Sequence, residues 1–173
     1  MFESIHHVSL SVSNLMQSVS FYEQLGFKSV NVRFAVDQDY FRKVVGYSNA
    51  VVNLALLKGN SPVVLELIEY IHPRGLDLDK STPNIGSSHL CFVVKDIEYK
   101  VEAMKQRGIR FKSDIILVDQ GPSKGMKCVY FLDPDGYTME LISDQEGYKE
   151  DEDVSYYRRR PRTWLGYGPK VRD

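Results

Sequence analysis

The chain has 173 residues, of which 43% are hydrophobic and 26% charged, and its formal net charge is −1. This size and composition suit a globular protein with a core of its own, and the charge gives no reason to expect nucleic acid or an anionic membrane as a partner. No run approaches the ~18 apolar residues of a membrane span, and the N-terminus lacks a secretion signal. Two cysteines in apolar runs make no disulfide framework, so we predict reduced thiols in a cytoplasmic protein.

The chain opens with a predicted strand and a predicted helix. Ile5–Val12 alternates polar and apolar residues, as a half-buried strand does. Asn14 is a typical helix N-cap, and Gly26 is typical of the residue that ends a helix. We therefore predict a strand–helix unit before residue 27.

Three predicted strands and a short helix follow. Phe27–Val36 has an extended pattern, and residues 37–46 predict a short helix that Asp37 caps. Val51–Leu57 and Val63–Tyr70 then flank a turn that contains Gly and Pro. Two such strands around a turn predict a hairpin.

The second half repeats this plan. Ser88–Val94 predicts a strand, and Asp96 caps the next predicted helix. Ile109–Val118 is extended in pattern. Lys127–Leu132 and Tyr137–Ile142 flank an Asp-Pro-Asp-Gly turn, so they predict a second hairpin.

The two halves also match residue by residue. His7–Phe27 aligns with His89–Ile109 without a gap, and each His stands 19 residues before a Gly. Further along, Glu66 and Glu140 each interrupt an apolar strand and are each followed by Leu-Ile. An internal repeat of this kind indicates one structural unit made twice.

Four repeated side chains predict a metal site shared by the halves: His7, Glu66, His89 and Glu140. A carboxylate inside an apolar strand is costly to bury unless it is paired or bound to a metal. Two imidazoles and two carboxylates suit Ni, Zn, Co, Mn or Fe(II) and leave positions open for substrate oxygens. Such a metal polarises a carbonyl oxygen, and a carboxylate beside it can take a proton from the neighbouring carbon. We expect Glu140 to fill that catalytic role, with Glu66 as second candidate.

Two simpler interpretations stay open. A single His or Glu in a strand is more often an ordinary hydrogen-bonded residue than a metal ligand, and the argument for a metal depends on the repeat. The chain could also keep these residues and bind a small molecule without a metal.

The repeated His-strand and helix, with the closing segments LELIEY and DPDGYTMELI, resembles the vicinal oxygen chelate superfamily over Ile5–Ile142. This group includes glyoxalase I, methylmalonyl-CoA epimerase, extradiol dioxygenases and the fosfomycin and bleomycin resistance proteins. The resemblance implies an α+β fold in which two βαβββ modules lie side by side and form a cup-shaped, partly open eight-stranded sheet. It also implies that His7, Glu66, His89 and Glu140 are the metal ligands, a set similar to that of glyoxalase I.

The resemblance sets the expected domain limits. We expect one glyoxalase-like domain over residues 1–143, with a first module over about 1–72, a connector over 73–86 and a second module over about 87–143. Residues 144–173 are expected to form a C-terminal arm.

The expected function is that of a metal-dependent lyase, isomerase or epimerase that works through an enediolate-like intermediate. The substrate would be a small carbonyl compound or hydroxy acid, and plausible contacts to it are Asn53, Arg33, Tyr47 and Lys124. Asn53 is expected to share the inner sheet face by alternation. The alternatives are an Fe(II) extradiol dioxygenase with His7, His89 and Glu140 as ligands, and a resistance-type binding protein. A homodimer would cover exposed sheet edges.

Overall fold

The computed structural model describes residues 3–121 and 123–143, which form eight strands and three helices. The strands are β1 (His7–Ser11), β2 (Lys28–Val36), β3 (Val51–Lys58), β4 (Val64–His72), β5 (His89–Val94), β6 (Ile116–Leu117), β7 (Lys127–Leu132) and β8 (Thr138–Ser143). The helices are α1 (Leu15–Gln24), α2 (Asp39–Val45) and α3 (Ile97–Gln106). The predicted arm over 144–173 lies outside the described residues.

The strands form two four-stranded sheets with the same internal order. The first has the order β1-β4-β3-β2 and the second β5-β8-β7-β6, so in each sheet the first strand lies beside the last. In the first sheet β1 runs parallel to β4, while β3 is antiparallel to both β4 and β2. The α+β class and the repeat of one strand–helix plan are therefore confirmed.

The chain divides into two compact units. One contains Met1–Leu90 and Phe131–Met139, and the other contains Cys91–Tyr130 and the described part of Glu140–Asp173. The stretch Phe131–Met139 groups with the first unit because its turn is bonded to α1. The hydroxyl of Tyr22 donates to Oδ2 of Asp133 over 3.0 Å. Both residues are buried.

Helix α1 covers one face of the first sheet, where it packs on β3 and β4. The buried residues of the helix are Leu15, Ser18, Val19 and Tyr22. As predicted, Asn14 caps the helix, since its Oδ1 accepts from the backbone N–H of Gln17 over 3.0 Å. Gly26 follows the helix with a φ of 97°, a left-handed conformation that glycine adopts without strain.

Three local predictions need correction. Helix α2 begins after Gln38, which lies at the N-cap without a side-chain cap bond, so Asp37 is not the cap. Asp96 does stand at the N-cap of α3, but its backbone is left-handed and its side chain makes no cap bond. In place of the long extended segment after the helix, only Ile116–Leu117 is a strand, which pairs with Cys128 and Lys127 of β7. Nearer the helix, the segment touches β7 only locally, where the N–H of Lys112 donates to the carbonyl of Tyr130 over 2.9 Å. Periodicity shows neither capping geometry nor which residues find a partner strand.

Candidate functional site

The first sheet brings His7 and Glu66 together on one face. In the parallel pairing of β1 with β4, Ser9 lies opposite Glu66, and His7 shares the face of Ser9 because it lies two residues earlier. Nε2 of His7 is 4.0 Å from Oε2 of Glu66. The two side chains are 44% and 23% exposed, so solvent and small molecules reach both.

A second histidine contacts the other side of the His7 ring. Nδ1 of His6 lies 2.8 Å from Nδ1 of His7, and the two rings meet edge to face. This hydrogen bond occupies Nδ1 of His7 and leaves Nε2 directed towards Glu66. Histidines that bind metals commonly have the second ring nitrogen held in this way, because the bond sets the tautomer and the ring orientation.

In the second unit, Glu140 lies among two thiols and a phenol. The thiol of Cys91 donates a hydrogen bond to the carboxylate of Glu140, and burial followed by this carboxylate raises the pKa of the Cys91 thiol to about 12. Burial and the same carboxylate also raise the pKa values of Cys128 and Tyr130. The Cys91 thiol and the Glu140 carboxylate therefore lie on the same side of the second sheet. His89 precedes Cys91 by two residues in β5 and is exposed.

The four predicted metal ligands remain a prediction. Among residues 3–121 and 123–143, no group of three or more His, Cys, Asp and Glu side chains is arranged to hold a metal ion. The chemistry of the donors nevertheless fits a divalent metal, since Nε2 of His7 and the carboxylate of Glu66 lie side by side. The structure thus brings His7 and Glu66 together, and their role as metal ligands stays a prediction.

Two of the predicted substrate contacts lie on the Glu66 face or against it. Arg33 pairs with Leu54, which pairs with Ile68. Ile68 follows Glu66 by two residues, so all four residues share one face. Tyr47 packs edge to face on Tyr70, with ring centroids 6.5 Å apart.

Tyr70 connects this aromatic pair with the carboxylate. It lies four residues after Glu66 in β4 and therefore points to the same side of the sheet. Burial, Tyr47 and the charge of Glu66 raise the pKa of its phenol, in that order. Tyr47 thus stands at the edge of the face that carries Glu66.

Asn53 is on the wrong face for its predicted role. It pairs with Glu69, whereas Glu66 pairs with Leu56 in β3. Nδ2 of Asn53 donates to Oε2 of Glu69 over 3.0 Å, and its Oδ1 accepts from the N–H of Ala35, also over 3.0 Å. The prediction that Asn53 shares the face of Glu66 is therefore wrong. Alternation had assigned Asn53 to one of two faces, but only the register with β4 decides which.

The fourth predicted contact, Lys124, lies in an exposed turn before β7, where its N–H donates to the carbonyl of Gly121.

Sequence reasoning missed the residues that form hydrogen bonds with the candidate site residues. These partners are His6, which is bonded to His7, and Gln38 and Tyr40, which are bonded to Arg33. A doubled His next to a predicted ligand was the one available signal for His6.

Comparison with known proteins agrees with this fold. Residues 4–141 match the model of the Glyoxalase/Bleomycin resistance protein/Dioxygenase superfamily, and the chain belongs to this family. It is 28% identical over 163 residues to a 2-epi-5-epi-valiolone epimerase from Actinomyces sp., which covers 90% of this chain and 88% of the relative. It is 24% identical to a lactoylglutathione lyase from Schizosaccharomyces pombe, covering 89% of this chain but only 51% of that protein.

A solved structure shows the same fold. The glyoxalase family protein APC24694 from Bacillus cereus superposes with a TM-score of 0.69 at 20% identity, covering 83% of this chain and 95% of that one. Among the described residues, no helix is long and apolar enough to cross a membrane.

Proposed function

We propose that this protein is a metal-dependent lyase, isomerase or epimerase that moves a proton at the carbon beside a carbonyl group of a small substrate. The observation that carries the proposal is Nε2 of His7 facing Oε2 of Glu66 at 4.0 Å, with both side chains partly exposed to solvent. It is supported by relatives along most of the chain that include an epimerase and a lyase.

In this proposal His7, Glu66, His89 and Glu140 hold one divalent ion of Ni, Zn, Co, Mn or Fe(II). The two halves of the chain provide the four donors at equivalent positions, and two imidazoles with two carboxylates suit these metals. When bound, the metal would supply Lewis acidity towards a carbonyl oxygen of the substrate.

The carboxylate of Glu140 is the proposed proton carrier. It would take a proton from the carbon beside the carbonyl and return it to the neighbouring carbon, or a second acid would deliver a proton to the opposite face of the first carbon. Delivery to the opposite face gives epimerisation, and return to the neighbouring carbon gives isomerisation. The Cys91 thiol, which donates to this carboxylate, would orient it, and Glu66 is the second candidate for the same role.

Metal content tests the proposal directly. Protein purified without chelator and incubated with each candidate metal is measured by elemental analysis, for wild type, Glu66→Ala and Glu69→Gln. Glu69 is the matched control, because it lies on the same strand but points to the helix-covered face. We expect about one metal per chain in wild type and Glu69→Gln and a sharp loss in Glu66→Ala.

Proton transfer is tested on the same samples. In deuterated water, a substrate carbonyl compound should acquire deuterium at the carbon beside the carbonyl with wild type and far more slowly with Glu140→Gln. Absence of metal from wild-type protein after incubation with all five ions would overturn the proposal.

We also propose that the chain forms a homodimer. Support comes from β2, an edge strand that exposes Val30, Val32 and Phe34 at alternate positions. An exposed apolar edge strand readily pairs with another chain. Light scattering coupled to gel filtration should show twice the chain mass for wild type and a smaller mass for Val32→Lys; a wild-type monomer would contradict it.

A further inference from the structure

Arg33 is a pre-positioned cation on the Glu66 face of the first sheet. Its Nη2 donates to Oε1 of Gln38 over 3.0 Å, and its Nη1 lies 3.5 Å from the hydroxyl of Tyr40. Both partners come from the segment around α2, and both are neutral. The guanidinium is therefore oriented by its neighbours while its charge is not neutralised by them.

The carboxylates near this segment are bonded to a different arginine. Arg42 lies 3.8 Å from Asp37 and 3.8 Å from Asp39. Within residues 3–121 and 123–143, none of the ion pairs within 4.0 Å involves Arg33. A guanidinium has five N–H donors in a planar fork, so two neutral acceptors leave donors and charge available to a ligand.

An apolar floor lies between Arg33 and Glu66. Arg33 pairs with Leu54, which pairs with Ile68, and both apolar residues are buried. Leu56 pairs with Glu66 in the register of β3 with β4. With a strand spacing of about 4.8 Å and a rise of about 3.4 Å per residue, the Cα atoms of Arg33 and Glu66 are roughly 12 Å apart. A ligand that contacts both charged groups would have to fit within this separation.

Phe41 of α2 and Tyr70 of β4 cover part of this floor. Phe41 and Tyr70 pack against the buried cluster of Val36, Val52, Leu54 and Ile68. A ligand with one end at His7 and Glu66 would therefore meet the partly exposed rings of Phe41 and Tyr70, which cover Leu54 and Ile68, and the guanidinium at its other end. The proposed metal would offset the negative charge of Glu66. The positive charge of Arg33 would then remain on this face of the sheet to attract an anionic ligand.

We propose that Arg33 anchors a carboxylate of the substrate, so that the substrate is an oxo or hydroxy acid with an anionic group distant from its reacting carbonyl. This inference rests on the proposed function for the reacting end of the molecule. Gln38 and Tyr40 act as positioning residues for the guanidinium. The planar fork of Arg33 matches a carboxylate through two parallel hydrogen bonds.

The test compares two probes that differ only in one charge: 2-oxoglutarate and its 5-methyl ester. Binding is measured by calorimetry on metal-loaded and metal-free protein, for wild type, Arg33→Met, Arg33→Lys and Lys43→Met. Lys43 is an exposed cation on α2 and controls for the general loss of one positive charge. Thermal unfolding of each variant verifies that it is folded.

We expect wild type to bind 2-oxoglutarate at least about tenfold more tightly than the ester, because charge-assisted hydrogen bonds exceed neutral ones by that order. Arg33→Met should lose this preference, Arg33→Lys should retain part of it, and Lys43→Met should keep it. Equal affinity of wild type for both probes, or an unchanged preference in Arg33→Met, would overturn the inference.

Failure of the anchor and failure of the proposed function give different results. If the protein takes up no metal but shows an Arg33-dependent preference for 2-oxoglutarate over the ester, the anchor is supported and the metal-dependent reaction is ruled out. If the protein takes up metal but shows no Arg33-dependent preference, the metal-dependent reaction remains supported and the anchor is ruled out. Absence of 2-oxoglutarate binding to wild type in either state would also overturn the anchor.

Discussion

Nε2 of His7 stands 4.0 Å from Oε2 of Glu66, while Nδ1 of the same ring is hydrogen-bonded to His6 over 2.8 Å. One ring nitrogen is thus held by a neighbour and the other is directed towards a carboxylate. Because β1 and β4 run parallel and adjacent, this arrangement depends on the sheet register and not on a flexible loop. It is the part of the candidate site that the structure defines most directly.

His6 should therefore affect metal binding although it is not a proposed ligand. We expect His6→Ala to weaken metal affinity by about 10- to 100-fold, since the loss of a partner to a ligating imidazole has effects of that size. Titration of metal-loaded protein with a competing chelator measures the affinity. His72→Ala is the control, because His72 is bonded to Asn49 at the far end of β4. Equal affinities in both variants would contradict a role for His6.

Asn53 should matter for stability and not for substrate binding. Asn53→Ala removes the acceptor for the Ala35 N–H and a donor to Glu69, so we expect a loss of about 1–3 kcal/mol in the free energy of unfolding. Urea denaturation measures this loss. As a control, Asn31→Ala, at an exposed residue of the neighbouring strand, should change the free energy of unfolding little. A raised KM in Asn53→Ala with an unchanged free energy of unfolding would instead support the predicted contact of Asn53 with substrate.

The buried pair of Tyr22 and Asp133 predicts a pH-dependent stability. Burial raises the pKa of Asp133, and hydrogen bonds from the Tyr137 backbone and the Tyr22 hydroxyl oppose the rise. Tyr22→Phe removes one of these donors, so the pKa of Asp133 in the folded state should rise further. An acid with a raised folded pKa favours folding below its unfolded pKa, and this contribution is lost as the pH rises through the folded value.

The destabilisation caused by Tyr22→Phe should accordingly be larger near neutral pH than near pH 4. Loss of a donor to a buried charged group costs about 1–3 kcal/mol, and the protonated carboxyl needs that donor less. Urea unfolding of wild type and variant at both pH values measures the difference. Tyr99→Phe, at a residue that is 72% exposed, should show no effect at either pH, and a pH-independent effect in Tyr22→Phe would contradict the argument.

Iron binding separates the proposed reaction from the extradiol alternative. In that alternative His7, His89 and Glu140 suffice, so Glu66→Ala would retain Fe(II) and consume oxygen with a catechol substrate. Under the proposed function, Glu66→Ala should lose most of its metal, and the loaded wild type should consume no oxygen with catechols. An oxygen electrode measures the oxygen consumption, and elemental analysis of the same samples measures the metal content.

Much of the fold could be predicted because its signals are local. The cap at Asn14, the end of α1 at Gly26 and the hairpin of β3 with β4 each depend on residues close together in the chain. The repeat of a strand–helix plan followed from spacing alone. Predictions failed where a partner had to be known, as with the short β6 and the caps of α2 and α3.

The sequence by itself determined that Glu66 is opposite Leu65 and Leu67 in its strand, and that His7 and His89 occupy equivalent positions. Side chains alternate along any strand, so these relations need no tertiary information. Only the tertiary structure shows that Asn53 lies on the sheet face of Glu69 and that Arg33 lies on the sheet face of Glu66. Alternation divides a strand into two faces, but only pairing with its neighbours, including the bulges of β2, decides which face meets the site.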